Sequence, residues 1–167
     1  SAHRYLAVAL ANVEQINAAF SILKKIKKDT NRDPVRMNIV RAHGKVGYWV
    51  KARETVKQIE SYRFKAIAFA QIAASQTSSG SEDLAEKTLA LARSAISKIK
   101  RPFAKSYAKS LVAIEVARLY SRERPTDSNF LGLAVQIATN IIDPRLKART
   151  LWLLSEHRRT NGDQVGA

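Results

Sequence analysis

Few side chains in this sequence are of the kinds that do chemistry, and their spacing decides what they can do. The histidines are His3, His43 and His157, and there is no cysteine. No two histidines stand at a metal-ligand spacing such as His-Glu-x-x-His, and no thiol nucleophile or thiolate ligand exists to join them. His43-Gly44-Lys45-Val46-Gly47 has glycines and a lysine in the manner of a phosphate loop. A true one needs Gly-x-x-x-x-Gly-Lys-Ser/Thr after a strand, so Gly44 and Gly47 read instead as a tight turn between helices. Glu82, Asp83 and Glu86 are the densest acidic cluster. Behind Ser81 they read as a capped helix start whose carboxylates suit the helix dipole, not as metal ligands. These residues argue against an enzyme and call for no metal or cofactor.

What remains is positive charge. The chain carries 29 Lys and Arg against 14 Asp and Glu, a formal net charge of +15 over 167 residues. Residues 1–60 hold 12 basic and 5 acidic groups, so the excess is spread along the chain and is no detachable tail. Such a field draws nucleic acid, anionic membrane surfaces or acidic proteins, and speeds encounter with any of them. The densest stretch runs Arg93, Lys98, Lys100, Arg101, Lys105, Lys109, with no acid before Glu115 and with Phe103 and Tyr107 inside it. One reading is an anion-binding ridge meeting phosphate or carboxylate. The favoured one is a solvated helix face whose two rings belong to the core, because a long helix always needs a polar side.

The elements that must position these residues emerge when the chain is laid against itself. Leu89-Ala-Leu-Ala92, Ile99, Pro102 and Lys105-Ser106 match Leu131-Gly-Leu-Ala134, Ile141, Pro144 and Lys147-Ala148 without a gap. A third copy runs Ala52, Ile59, Tyr62, Lys65-Ala66, so the aligned alanines lie 40 and then 42 residues apart. A fainter copy, Ala19 and Ile26, precedes Asp33-Pro34, with residues 27–32 read as a lengthened connection. Apolar positions in each copy follow three-and-four spacing, so the unit is a helix, a turn and a second helix. Asp33-Pro34 and Asp143-Pro144 each offer an N-cap followed by proline at the first helical position. Thr77-Ser-Ser-Gly80 and Arg124-Pro125-Thr126-Asp127 supply breaks between helices. The expected helices are 3–11, 13–28, 34–45, 48–61, 63–77, 81–100, 102–122, 126–141 and 144–160. Apolar residues make up 46% of the chain, enough for one all-α domain over residues 1–167. No apolar run approaches the roughly 18 residues of a membrane span, so a soluble chain is expected, and the lack of cysteine leaves its compartment open.

The pattern Ile141-x-Asp143-Pro144, Arg145-x-Lys147-Ala148, an apolar helix and then Asn161-Gly162-Asp163 resembles tetratricopeptide-like repeats. The likeness covers most of the chain but departs in its period and in lacking the ordered Trp, Leu-Gly and Tyr signature of the first helix. It implies a right-handed α-solenoid whose groove holds peptides or protein surfaces, and it carries over no catalytic residue. Lys65, Lys105 and Lys147 recur in the first turns of their helices, where the helix's own dipole gains nothing from them. With Arg36, Arg145 and Arg149 they form an expected positive strip, and Lys98, Lys100, Arg101 and Lys109 complete the candidate set. The expected function is a non-catalytic scaffold for an acidic protein or peptide, with RNA or DNA binding, or a structural part of a larger protein, as alternatives. Trp49 and Trp152 read as packing residues. An exposed Trp152 on a last repeat would point to further sequence or to a homodimer through terminal repeats.

Overall fold

The computed structural model describes residues 2–27, 29–118 and 128–160. Those residues form nine helices and no strand: α1 (Ala2–Asn12), α2 (Ile16–Lys24), α3 (Asp29–Lys45), α4 (Trp49–Lys57), α5 (Tyr62–Ser78), α6 (Glu82–Ser97), α7 (Pro102–Ala117), α8 (Ser128–Thr139) and α9 (Pro144–Thr160). Every helix expected from the sequence is present. The break at 124–127, the Asn161-Gly162-Asp163 step and the end of the 102–122 helix lie outside the described residues. The chain divides into two compact units, Ser1–Ala95 and Ile96–Ala167.

In the first unit α1, α3 and α5 pack in succession, with α2 between α1 and α3 and α4 between α3 and α5. Ala7, Ala11, Ala19, Leu23, Ile26, Val35 and Ile39 form one buried cluster. Val40, Ala52, Val56, Ile59, Ala68 and Ile72 form a second. In the second unit α7, α8 and α9 pack against one another. The aligned small and branched residues do the same job in every copy: Ala19, Ala52, Ala92 and Ala134 are fully buried, and Ile26, Ile59, Ile99 and Ile141 nearly so. Alanine lets helices approach closely, and the isoleucine seven residues later fills the space under the turn.

The turns reveal a shorter period than the aligned alanines do. Glu14, Gly47 and Gly80 have φ of 63°, 74° and 76°, and they stand 33 residues apart. Each is followed by an amide that closes the same helix end: Gln15 N to Leu10 O at 2.9 Å, Tyr48 N to His43 O at 2.8 Å and Ser81 N to Gln76 O at 2.8 Å. This is the Schellman arrangement, in which a left-handed residue lets the next amide satisfy an orphan carbonyl. Ala19 and Ala52 are also 33 apart. The spacing rises to 40 at Ala92 because α6 has 16 residues where α4 has 9.

That register corrects the first copy. Residues 27–32 are no insertion, since Asp33 lies seven residues after Ile26 as Ala66 lies seven after Ile59 and Ser106 seven after Ile99. Helix α3 begins at Asp29 and carries Pro34 inside it, so Asp33-Pro34 does not start a helix. Asp33 caps the next hairpin instead: its carboxylate accepts Glu60 N at 3.2 Å and Ser61 N at 2.8 Å. Ser106, at the equivalent position, accepts Asp143 N at 3.5 Å. Asp143-Pro144 behaves as expected, Asp143 Oδ1 accepting Leu146 N at 2.8 Å.

Candidate anion-binding surface

The glycine motif is settled by its place at a helix end. Gly44 sits inside α3, buried, where a Cβ would come within 3.4 Å of Ser75 Cβ, and Ser75 Oγ donates to its carbonyl. Only Gly47 has the positive φ of a turn. A phosphate loop presents N–H groups at a helix N-terminus, whereas this motif ends a helix and presents carbonyls.

The histidines stay apart, and no group of three or more metal-ligating side chains exists among the described residues. His3 is exposed on α1, His157 half-buried on α9 and His43 buried on α3. The His43 ring lies 6.2 Å from that of Phe20 and 6.3 Å from that of Tyr48, and its Nδ1 has no hydrogen-bonding partner. Burial, and then the charge of Lys51, hold its pKa below the ordinary 6.5. The folded chain therefore favours the neutral ring. This contribution to stability is complete above about pH 6.5 and is lost as pH falls through the lower folded value. Thermal unfolding between about pH 7.5 and 5.5 is expected to show a falling midpoint in the native chain and a flatter profile in His43→Leu, the residue type at the equivalent Leu10; equal slopes would remove His43 from the effect.

Lys105, Lys109 and Arg32 have a structural task that sequence spacing alone does not show. Lys105 Nζ donates to Ser97 O at the end of α6 at 3.4 Å, and Lys109 Nζ to Asn140 O just after α8 at 2.5 Å. Arg32, 33 residues before Lys65, donates from Nε to Ile26 O at 2.6 Å. Each reaches the orphan carbonyls at the C-terminal end of a neighbouring helix, where that helix's dipole favours a cation. Lys65 half-buries against its own helix, its ammonium 5.5 Å from the Tyr62 ring. Lys105, Lys109 and Lys147 come near enough to interact: burial first, then Lys105 and Lys147, lower the pKa of Lys109. Arg36 is committed to Asp33, Nη1 to Oδ1 at 3.1 Å, and so belongs to the core of the first unit.

Lys98, Lys100 and Arg101 are exposed around the α6–α7 turn, and Arg145 and Arg149 are exposed on α9. Carboxylates are few among the described residues around them. Residues 96–118 and 128–160 hold eleven Lys and Arg but only Glu115, Asp143 and Glu156. Glu115 pairs with Arg118 at 2.9 Å, Glu156 with Arg159 at 2.9 Å, and Asp143 caps α9. Phe103 is 65% exposed and Tyr107 38%, so the expectation that both rings are core is wrong: the core faces of α7 are filled by Ser106, Ala108, Ser110, Val112, Ala113, Val116 and Ala117. Trp152 is 62% exposed, and Trp49 is half-buried.

Two residues escaped the sequence reading. Arg32 was hidden by the assumed insertion. Arg63 stacks its guanidinium 4.4 Å from the Phe64 ring beside a cavity of about 350 Å³ lined by Asp33, Glu60, Ser61, Arg63 and Phe64; its position corresponds to Phe103 and Arg145, a match of register and not of residue type. The two carboxylates in that lining make it a poor anion site. Compared with protein-family models, with curated proteins and with solved structures, the chain matches none.

Proposed function

We propose that the chain is a non-catalytic interaction scaffold, a tetratricopeptide-like right-handed α-solenoid, whose cationic surface binds an acidic protein or peptide. One observation carries the reading: in residues 96–118 and 128–160 the three carboxylates are all engaged with groups of their own helices, while eleven cations stand against them. A surface whose described residues carry so large an excess of cations over carboxylates attracts an anionic partner and sets the encounter rate.

Nucleic acid is the competing partner, and exposed Phe103 within the basic stretch is the observation in its favour, because bases stack on open rings. Titration of the full chain with a fluorescent polyglutamate peptide, single-stranded RNA and duplex DNA, each at two salt concentrations, separates the two. The expected result is peptide binding at least about tenfold tighter than either nucleic acid at physiological salt. Tighter binding of nucleic acid, with a steep loss of affinity as salt rises, would replace the protein partner with a polyphosphate one.

A further inference from the structure

Helix α7 carries an apolar face that the described residues of its own unit leave partly exposed. Its buried positions leave one wedge of the helix, and Phe103, Tyr107, Leu111 and Ile114 occupy it at i, i+4, i+8 and i+11. Residues at these offsets share one side of a helix. Phe103 and Tyr107 are exposed, and Leu111 and Ile114 are half-buried. The stripe is apolar from end to end and spans about 17 Å, some three helical turns.

Charge frames one end of it. Lys100 and Arg101 immediately precede the stripe and are exposed. On α9, the positions 42 residues beyond Phe103 and Tyr107 are Arg145 and Arg149, both exposed. Helix α9 is held beside α7 by Ser110 Oγ and Thr150 Oγ1 at 2.7 Å and by Ser106 Oγ with Asp143 N. The apolar stripe of one helix is thus flanked by an arginine pair at the corresponding positions of the next.

We infer that α7 and α9 form the docking surface of the proposed scaffold and that its occupant is an acidic amphipathic helix. Such a helix lays apolar side chains at i, i+3, i+4 and i+7 along the stripe and presents carboxylates to Arg145, Arg149, Lys100 and Arg101. Arginine suits this task because its planar fork binds a carboxylate through two parallel hydrogen bonds. The stripe also argues against single-stranded nucleic acid. Rings are not repeated at the equivalent places, which hold Arg63 and Ile67 on α5 and the arginines on α9, and Leu111 and Ile114 offer bases nothing to stack on. A contact three turns long is small, so binding is expected to be weak and reversible, with a Kd of about ten micromolar.

The inference rests on the acidic-partner reading, and the experiment distinguishes the two. The probes are a fluorescein-labelled peptide of about four helical turns, with leucine at i, i+3, i+4 and i+7 and glutamate elsewhere, a scrambled peptide of the same composition, and an oligothymidylate of similar length. They are titrated against the native chain, Phe103→Ser and the double variant Arg145→Glu with Arg149→Glu; all three positions are exposed, and circular dichroism checks that each variant folds. The patterned peptide is expected to bind about tenfold more tightly than the scrambled one and to lose about tenfold or more in each variant. Equal binding of both acidic peptides, or binding indifferent to Phe103→Ser, overturns the α7 surface while leaving an acidic partner in place. Failure of every acidic peptide, or preference for the oligothymidylate, overturns both.

Discussion

Asp33→Ala is expected to lower the stability of the first unit by about 3–5 kcal/mol, the cost of removing one partner from a buried charged network. Asp33 is 2% exposed and its carboxylate accepts from three donors at once: the backbone amides of Glu60 and Ser61 and the guanidinium of Arg36. Alanine leaves two amides at the start of α5 without their acceptor and takes the carboxylate from Arg36, whose side chain is 12% exposed. Against a total stability of about 5–15 kcal/mol that is a large fraction. Asp33→Asn keeps an acceptor oxygen and is expected to recover part of the loss. Urea unfolding followed by circular dichroism measures both; a cost below about 1 kcal/mol for alanine would mean that the carboxylate does not hold α5 to α3.

Gln76→Met is expected to act in the opposite direction. Gln76 is fully buried, and neither its amide nitrogen nor its amide oxygen has a hydrogen-bonding partner. A buried amide left unpaired costs about 1–3 kcal/mol, whereas an unbranched apolar side chain of similar length costs nothing of that kind. The equivalent position on α7 is Val116, also fully buried. Methionine is therefore expected to stabilise by about 1–3 kcal/mol and to raise Tm by about 2–4 °C for each kcal/mol in a chain of this size. A lower Tm would show that the amide is satisfied in solution in a way its surroundings do not suggest.

These residues mark where the sequence was legible. Helices were readable because alanine, isoleucine and leucine recur at helical spacing and because glycine and Asp-Pro punctuate them; the expected 63–77 helix is Tyr62–Ser78 and the expected 144–160 helix is Pro144–Thr160. Asp33-Pro34 misled because a carboxylate before a proline has the form of an N-cap. Which helix a cap serves is a tertiary fact, and Asp33 serves one 28 residues downstream. Gln76 has the composition of a surface residue, and only packing shows that it is enclosed. Lys105 stands out by its repetition and Lys109 by the basic stretch around it, but their carbonyl partners, Ser97 at the end of α6 and Asn140 just after α8, belong to other parts of the fold. Phe103 and Tyr107 were placed in the core on hydrophobicity, yet a helix with small residues on its packed faces has no room there for rings. The cations of the candidate surface were legible as a set; the apolar stripe beside them was not.

The unequal lengths of α4 and α6 bear on how such a chain diversifies. Seven residues fall only about 20° short of two full helical turns, so α6 gains length while the side chains beyond the addition keep their angular phase. Ala92 is buried as Ala52 is, and Ile99 closes the turn as Ile59 does. An insertion of one or two residues would instead swing those alanines away from their neighbours. Between α4 and α6 the change of length thus keeps helical phase, and a heptad-sized step is silent to packing.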